Sequence, residues 1–302
     1  MRHRVSILWG ALLALGMISA QAAGVQPQVL ASGFSFPEGP VLMPDGGVVF
    51  VEILGDKLTR IAVDGSTSTW VEVGPGPNGA AIGPDGALYV LTNGGKPGNT
   101  NGGSVVRIDP KTRASKVLYT SVDGERLKGP NDIVFDEWGD FWFTDFAGGA
   151  LYNARIDGSR ITRIATIPGA NGIGLSPDHR TLYVAQVQQR QVAKLQVIGR
   201  GQVQQKDGAA DVQVLAKLED SLDSLKVDAK GDVLVASGEA GITSVAPDGR
   251  VLGKTSVLGK RVTNLVFTGK DLKTLYVTAN DQGTSGSLIA VPWPDAGLKL
   301  LY

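Results

Sequence analysis

The chain has 302 residues, with 29 Lys and Arg against 29 Asp and Glu, two His and no Cys. A formal net charge of zero with no basic stripe argues against a nucleic-acid partner. The lack of Cys removes disulfides, thiolate metal sites and cysteine nucleophiles. Gly accounts for 41 residues, nearly double the usual ~7%, which favours many short strands joined by tight turns.

In chain order, Met1-Arg2-His3-Arg4 is a basic start, residues 5–18 are an apolar run, and Ala20-Gln21-Ala22 has the small-x-small form of a cleavage site. Residues 1–22 therefore read as a signal peptide cut after Ala22. The apolar run is too short for an easy membrane span. The mature chain is expected to be periplasmic or secreted, with no stable span after cleavage; an uncleaved anchor is the alternative. Arg2 and Arg4 are not adjacent, which argues against twin-Arg export.

From residue 27 onward one pattern recurs. Short oxygen-bearing side chains open six segments at Glu38, Asn78, Asn131, Asn171, Asp223 and Asn264, at steps of 40, 53, 40, 52 and 41 residues. A turn signal follows each start, at Asp45-Gly46, Asp85-Gly86, Trp138-Gly139, Asp178-His179, Lys230-Gly231 and Asp271-Leu272. An alternating apolar strand comes next, such as Phe141-Trp142-Phe143 or Leu182-Tyr183-Val184. Apolar runs this short, bounded by Gly, Asp and Pro, are strands. Four antiparallel strands per unit of ~40 to 50 residues, repeated six times, predict an all-β six-bladed propeller over residues 27–302.

The sixth repeat supplies only about three strands before Pro292 and Pro294. Residues 28–34 form an apolar strand ahead of the first repeat, and are expected to become the outermost strand of the last blade and hide both edges. Residues 92–103 break the spacing in blade two as a Gly- and Asn-rich loop, either a lid or a tolerated insertion. Residues 198–210 extend blade four. Residues 216–225 have some helical flavour but read as a blade connection.

In a propeller the innermost strand of each blade runs along a central channel, so equivalent residues share one height. Glu38, Asn78, Asn131, Asn171, Asp223 and Asn264 then present two carboxylates and four carboxamides to one axis. Taken singly, each is a common turn residue; the shared register in all six repeats points to a metal. Ca2+ takes six to eight oxygen ligands of this mixed kind, and two carboxylates would match a divalent charge. Zn2+ is disfavoured, because His3 lies in the signal peptide and only His179 remains.

These stretches also resemble the senescence marker protein, gluconolactonase and luciferin-regenerating-enzyme family of calcium-dependent six-bladed propellers. The resemblance rests on Phe36-Pro37-Glu38-Gly39-Pro40, Pro77-Asn78-Gly79-Ala80-Ala81, Pro130-Asn131-Asp132, Asn171-Gly172-Ile173-Gly174-Leu175-Ser176-Pro177-Asp178 and Asp223-Ser224-Leu225, and spans essentially the whole mature chain. It implies Glu38, Asn131, Asn171 and Asp223 as ligands of Ca2+ or another divalent cation. It also implies Asn131 and Asn78 as substrate-binding residues and Asp223 as the group that orients or deprotonates water. Members that hydrolyse gluconolactone carry an Arg two positions before the blade-three Asn. Here that place is Gly129, with Arg126 and Lys128 nearby, a departure at the position that bears on sugar-lactone specificity. A histidine base has no counterpart, since His179 falls in a predicted outer hairpin turn.

The expected activity is calcium-dependent hydrolysis of lactones, with a sugar lactone or related cyclic ester as the small-molecule substrate. Asp145 or Asp132 are candidate helpers, although strand alternation would turn Asp132 from the axis if Asn131 faces it. The rivals are a non-catalytic propeller with a structural calcium that binds a ligand or protein, and a lyase on the same scaffold.

Overall fold

The computed structural model describes residues 26–96, 102–281 and 283–302. The signal-peptide reading lies outside the described residues, as do positions 97–101 of the blade-two loop.

The fold is the expected propeller: six antiparallel sheets arranged around one axis. Blade one is built from Pro37–Leu42, Val48–Glu52, Lys57–Ile61 and Thr67–Glu72, in that order from the axis outward. The other blades repeat this order from innermost strands Pro77–Ile82, Pro130–Phe135, Ala170–Leu175, Leu225–Val227 and Arg261–Thr268. Each innermost strand packs against those of both neighbours, and the ring closes between blade six and blade one.

The second strands show why these sequences stack. Alternate side chains of a strand point to opposite faces, and each face here meets a different neighbour. In blade one Val49 and Val51 join Leu88 and Val90 of blade two, whereas Val48 and Phe50 join Phe34 and Leu288 on the other side. Tyr89 and Leu91 turn instead toward Phe141 and Phe143 of blade three, and Trp142, between those two rings, packs with Leu182 and Val184 of blade four. Val233 and Val235 face blade four, while Leu234 and Ala236 face blade six. The core therefore lies between blades rather than within them.

The six predicted turns after the innermost strands share one geometry. Gly46, Gly86, Gly139, His179, Gly231 and Leu272 all have positive φ, between 54° and 89°. Each donates its N–H to the carbonyl three residues back, as His179 does to Ser176 (2.9 Å) and Leu272 to Gly269 (3.1 Å). Gly is the usual choice for this conformation; His179 and Leu272 adopt it because the turn closure is common to every blade.

Gln28–Ser35 pairs antiparallel with Ser285–Pro292 and completes blade six. Phe34 lies edge-on to Phe50 of blade one, with ring centroids 4.7 Å apart. Removing residues 27–34 is expected to lower the melting temperature by more than ~10 °C, since it strips one edge of the closing blade and opens an inter-blade core. A truncated chain that melts like the full one would show that the ring closes without this strand. Residues 202–210 extend blade four as short hairpins, and Gln213–Lys217 returns as its fourth full strand. Residues 218–224 carry no helix.

Candidate metal centre at the channel mouth

Glu38, Asn78, Asn131 and Asn171 are each the second residue of an innermost strand, Asp223 lies two residues ahead of one, and Asn264 is the fourth residue of one. Their backbones form a continuous circuit. A Cβ placed on Gly39 would lie 2.4 Å from the Asn78 carbonyl oxygen, and one on Gly79 would lie 2.4 Å from that of Asn131. The Thr144 hydroxyl donates to the Asn171 carbonyl (2.5 Å). Gly172 N–H donates to the Asp223 carbonyl and Ser224 N–H to that of Thr263, both at 3.1 Å. The Thr263 hydroxyl donates to Pro37 of blade one (2.9 Å) and closes the circuit. Glycine after Glu38, Asn78 and Asn171 is what lets adjacent backbones come this close.

Inside that circuit the acids meet. Glu38 is 4% exposed and accepts Asn264 Nδ2 (2.8 Å) and its neighbour Gly39 N–H (2.9 Å) on one oxygen. Burial, then the negative charge of Asp223, hold its carboxyl well above the ordinary range, and the two hydrogen bonds oppose this. Asp223 is partly open to the channel. Burial raises its carboxyl to about 7, against the pull of the Arg261 charge and a hydrogen bond from the Asn171 side chain. Glu38, Asn171, Asp223 and Asn264 thus form one interacting group. Asn78 is buried beside it, and Asn131 lies on the adjoining strand of blade three.

Three expectations change. Asp132 does not point away from the axis. The register between Pro130–Phe135 and Phe141–Asp145 shifts between Pro130 and Ile133, and this irregularity breaks the alternation that would separate it from Asn131. Its carboxylate instead reaches past blade four to blade five, accepting the Ser224 hydroxyl and lying 3.4 Å from Lys226 Nζ. Asp145 is no catalytic helper. Fully buried, it accepts the N–H groups of Lys128, Gly129 and Gly148 at 2.7–2.8 Å and fixes the approach to the blade-three strand. His179 is not peripheral: its turn joins an innermost strand to a second strand, so it lines a chamber of about 270 Å3 at the lower end of the channel. That chamber is otherwise mainly apolar, and residues 298–302 of the C-terminal tail line it too.

Sequence reasoning missed Ser224, Lys226 and Arg261 as parts of the site. Arg261 is an exposed rim residue whose charge acts on Asp223 from the next blade. Arg126 and Lys128 are exposed near the same face, and Arg126 lies beside Gly102 of the blade-two loop.

Among the described residues no three His, Cys, Asp or Glu side chains cluster as ligands, so an ion here must draw on carboxamides as well. The donor set fits one. A buried carboxylate and a half-buried one that repel each other, held beside carboxamide groups, make a hard-oxygen site whose strain a divalent cation relieves. It does not fit Zn2+, which favours N and S ligands.

A six-bladed propeller with an acid- and amide-lined channel mouth is the class this geometry defines. Residues 36–281 match the model of the SMP-30/gluconolactonase/LRE-like region, and the chain belongs to that family. Among its relatives, the gluconolactonase of Zymomonas mobilis is 27% identical over 293 residues, covering 84% of this chain and 78% of that one. The pentonolactonase XacC of Haloferax volcanii is 28% identical over 259 residues, covering 83% of each. Among solved structures, the calcium-binding protein regucalcin of Agrobacterium tumefaciens superposes with a TM-score of 0.70 at 19% identity, over 90% of this chain and 97% of that one.

Proposed function

We propose that this protein is an exported lactonase that works with a divalent cation, Ca2+ first, held by Glu38, Asn131, Asn171 and Asp223. The observation that carries the reading is the meeting of Glu38, Asp223 and Asn171 at the channel mouth of a chain whose relatives include a gluconolactonase and a pentonolactonase. When bound, the cation supplies Lewis-acid stabilisation for the charge that develops on the lactone carbonyl oxygen.

The chain's own groups do the rest. Asp223 Oδ orients the attacking water and accepts its proton. Asn171 holds the Asp223 carboxylate by its side-chain hydrogen bond, and Asn264 holds Glu38. Asn131 and Asn78 hydrogen-bond the lactone ring. Arg261 at the rim favours substrates with electron-rich or anionic groups, a role distinct from the missing Arg at Gly129.

The test is a panel of five- and six-membered lactones assayed with calcium and with a chelator. Ring opening that is lost on chelation and returns with calcium is the expected result. If no lactone is opened while chelation still lowers the melting temperature, the chain is a binding propeller with a structural ion. Export rests on residues 1–22; a mature N-terminus at Ala23 supports it, and a retained leader opposes it.

A further inference from the structure

The channel holds three carboxylates, not two. Asp132 is buried and acts electrostatically on both Glu38 and Asp223. Three negative charges exceed what a divalent ion neutralises. The structure also supplies a cation beside the third acid: Lys226 Nζ lies 3.4 Å from Asp132 Oδ2, with side-chain exposures of 23% and 3%. The Ser224 hydroxyl fixes the same oxygen. Arg261, whose charge also acts on Asp223, is an exposed rim residue, where solvent and salt weaken it.

We infer that Lys226 sets the charge of the ion this channel accepts. By neutralising Asp132 it leaves Glu38 and Asp223 as the net charge, two, which a divalent cation balances. The inference rests on the proposed ion site and deepens it. Lys226 is a positioning and charge-balancing residue: its partner is Asp132, and it contacts neither Glu38 nor Asp223 by any hydrogen bond or ion pair described.

The geometry explains why this pair occurs at one place in the ring. The residue after the ring member is Gly in blades one, two and four, but Asp132 in blade three and Ser224 in blade five. A Cβ on Gly79 would lie 2.6 Å from Asp132 Cα, and one on Gly172 would lie 2.6 Å from Ser224 Cα. Those glycines leave the room in which Asp132 and Ser224 meet, and Lys226 reaches the same oxygen from the lower chamber.

The experiment is calorimetric titration of the mature protein with Ca2+ and with Tb3+, a trivalent ion of similar radius, read as the ratio of the two affinities. Lys226→Met should shift the ratio toward Tb3+ by about tenfold or more, because an uncompensated carboxylate favours the higher charge. Lys226→Arg should leave the ratio near wild type. Adding Asp132→Asn to Lys226→Met should bring it back. If Lys226→Met does not fold, Asp132→Asn alone leaves Lys226 in surplus and should move the ratio toward Ca2+. A ratio unchanged in these variants, in a wild type that binds calcium, overturns the inference alone. A wild type that takes up neither ion overturns the proposed function and this inference with it.

Discussion

Changing Asp223 to Asn is expected to lower kcat for a susceptible lactone by about a hundred- to ten-thousand-fold at saturating calcium, the range typical of removing a positioned proton acceptor. Asn keeps the shape and an oxygen donor, so ion affinity should fall by a smaller factor than turnover. The structural reason for the split is that Asp223 is the acid left partly open to the channel, while Glu38 is sealed by Asn264 and Gly39. Glu38→Gln should show the opposite balance, with most of its loss in ion affinity and recovery of turnover at high calcium. Steady-state kinetics against calcium concentration, with calorimetry on the same variants, separates the two. Equal losses of turnover and affinity in Asp223→Asn would make it a ligand and nothing more.

The second large effect is on stability. In a chelator, the melting temperature should fall as pH rises from 5 to 8. Asp223 has a folded-state value of about 7 against 3.8 for a free side chain. Between those values the folded chain holds a proton that the unfolded chain has released. The contribution to stability is therefore complete below pH 4 and is lost as pH climbs through 7. Three units amount to at most ~4 kcal/mol for Asp223, enough to move the midpoint by on the order of 10 °C in a domain this size. Glu38 shifts the same way, and so does Asp136, raised to about 6 by its burial. Calcium separates the channel pair from Asp136, because an ion at the mouth favours the deprotonated forms of Glu38 and Asp223 alone. The gap between melting with calcium and melting with chelator should thus widen toward pH 8. Scanning calorimetry that shows a flat or rising chelator curve, or a gap independent of pH, would contradict the electrostatics described for this site.

Much of this was readable in the amino-acid order, for reasons specific to propellers. The turn after each innermost strand needs one left-handed residue, and the sequence marks that place six times, even where His179 or Leu272 fills it. That fixed the register, and the register aligned Glu38, Asn78, Asn131, Asn171, Asp223 and Asn264. The closing strand was readable because the last repeat was one strand short. Asp132 was misread because alternation holds only along regular strand, and the bulge between Pro130 and Ile133 removes it. A signal was present nonetheless: Asp132 stands where three other blades carry glycine. Lys226 and Arg261 offered none, since each belongs to a different blade from the acid it meets. Asp145 was ambiguous for a similar reason, as its N–H partners at Lys128 and Gly129 precede the blade-three strand by a stretch the repeat does not specify.

The placement of Gln28–Ser35 against Ser285–Pro292 has a consequence for biogenesis. Gln28–Ser35 leaves the ribosome about 250 residues ahead of its partner strand, with Gln28 opposite Ala290. Closing so long a loop is slow, although its entropic cost grows only gently with length. The toroid therefore cannot close until Ser285–Pro292 has been made, so the ring stays open while blades one to five are synthesised.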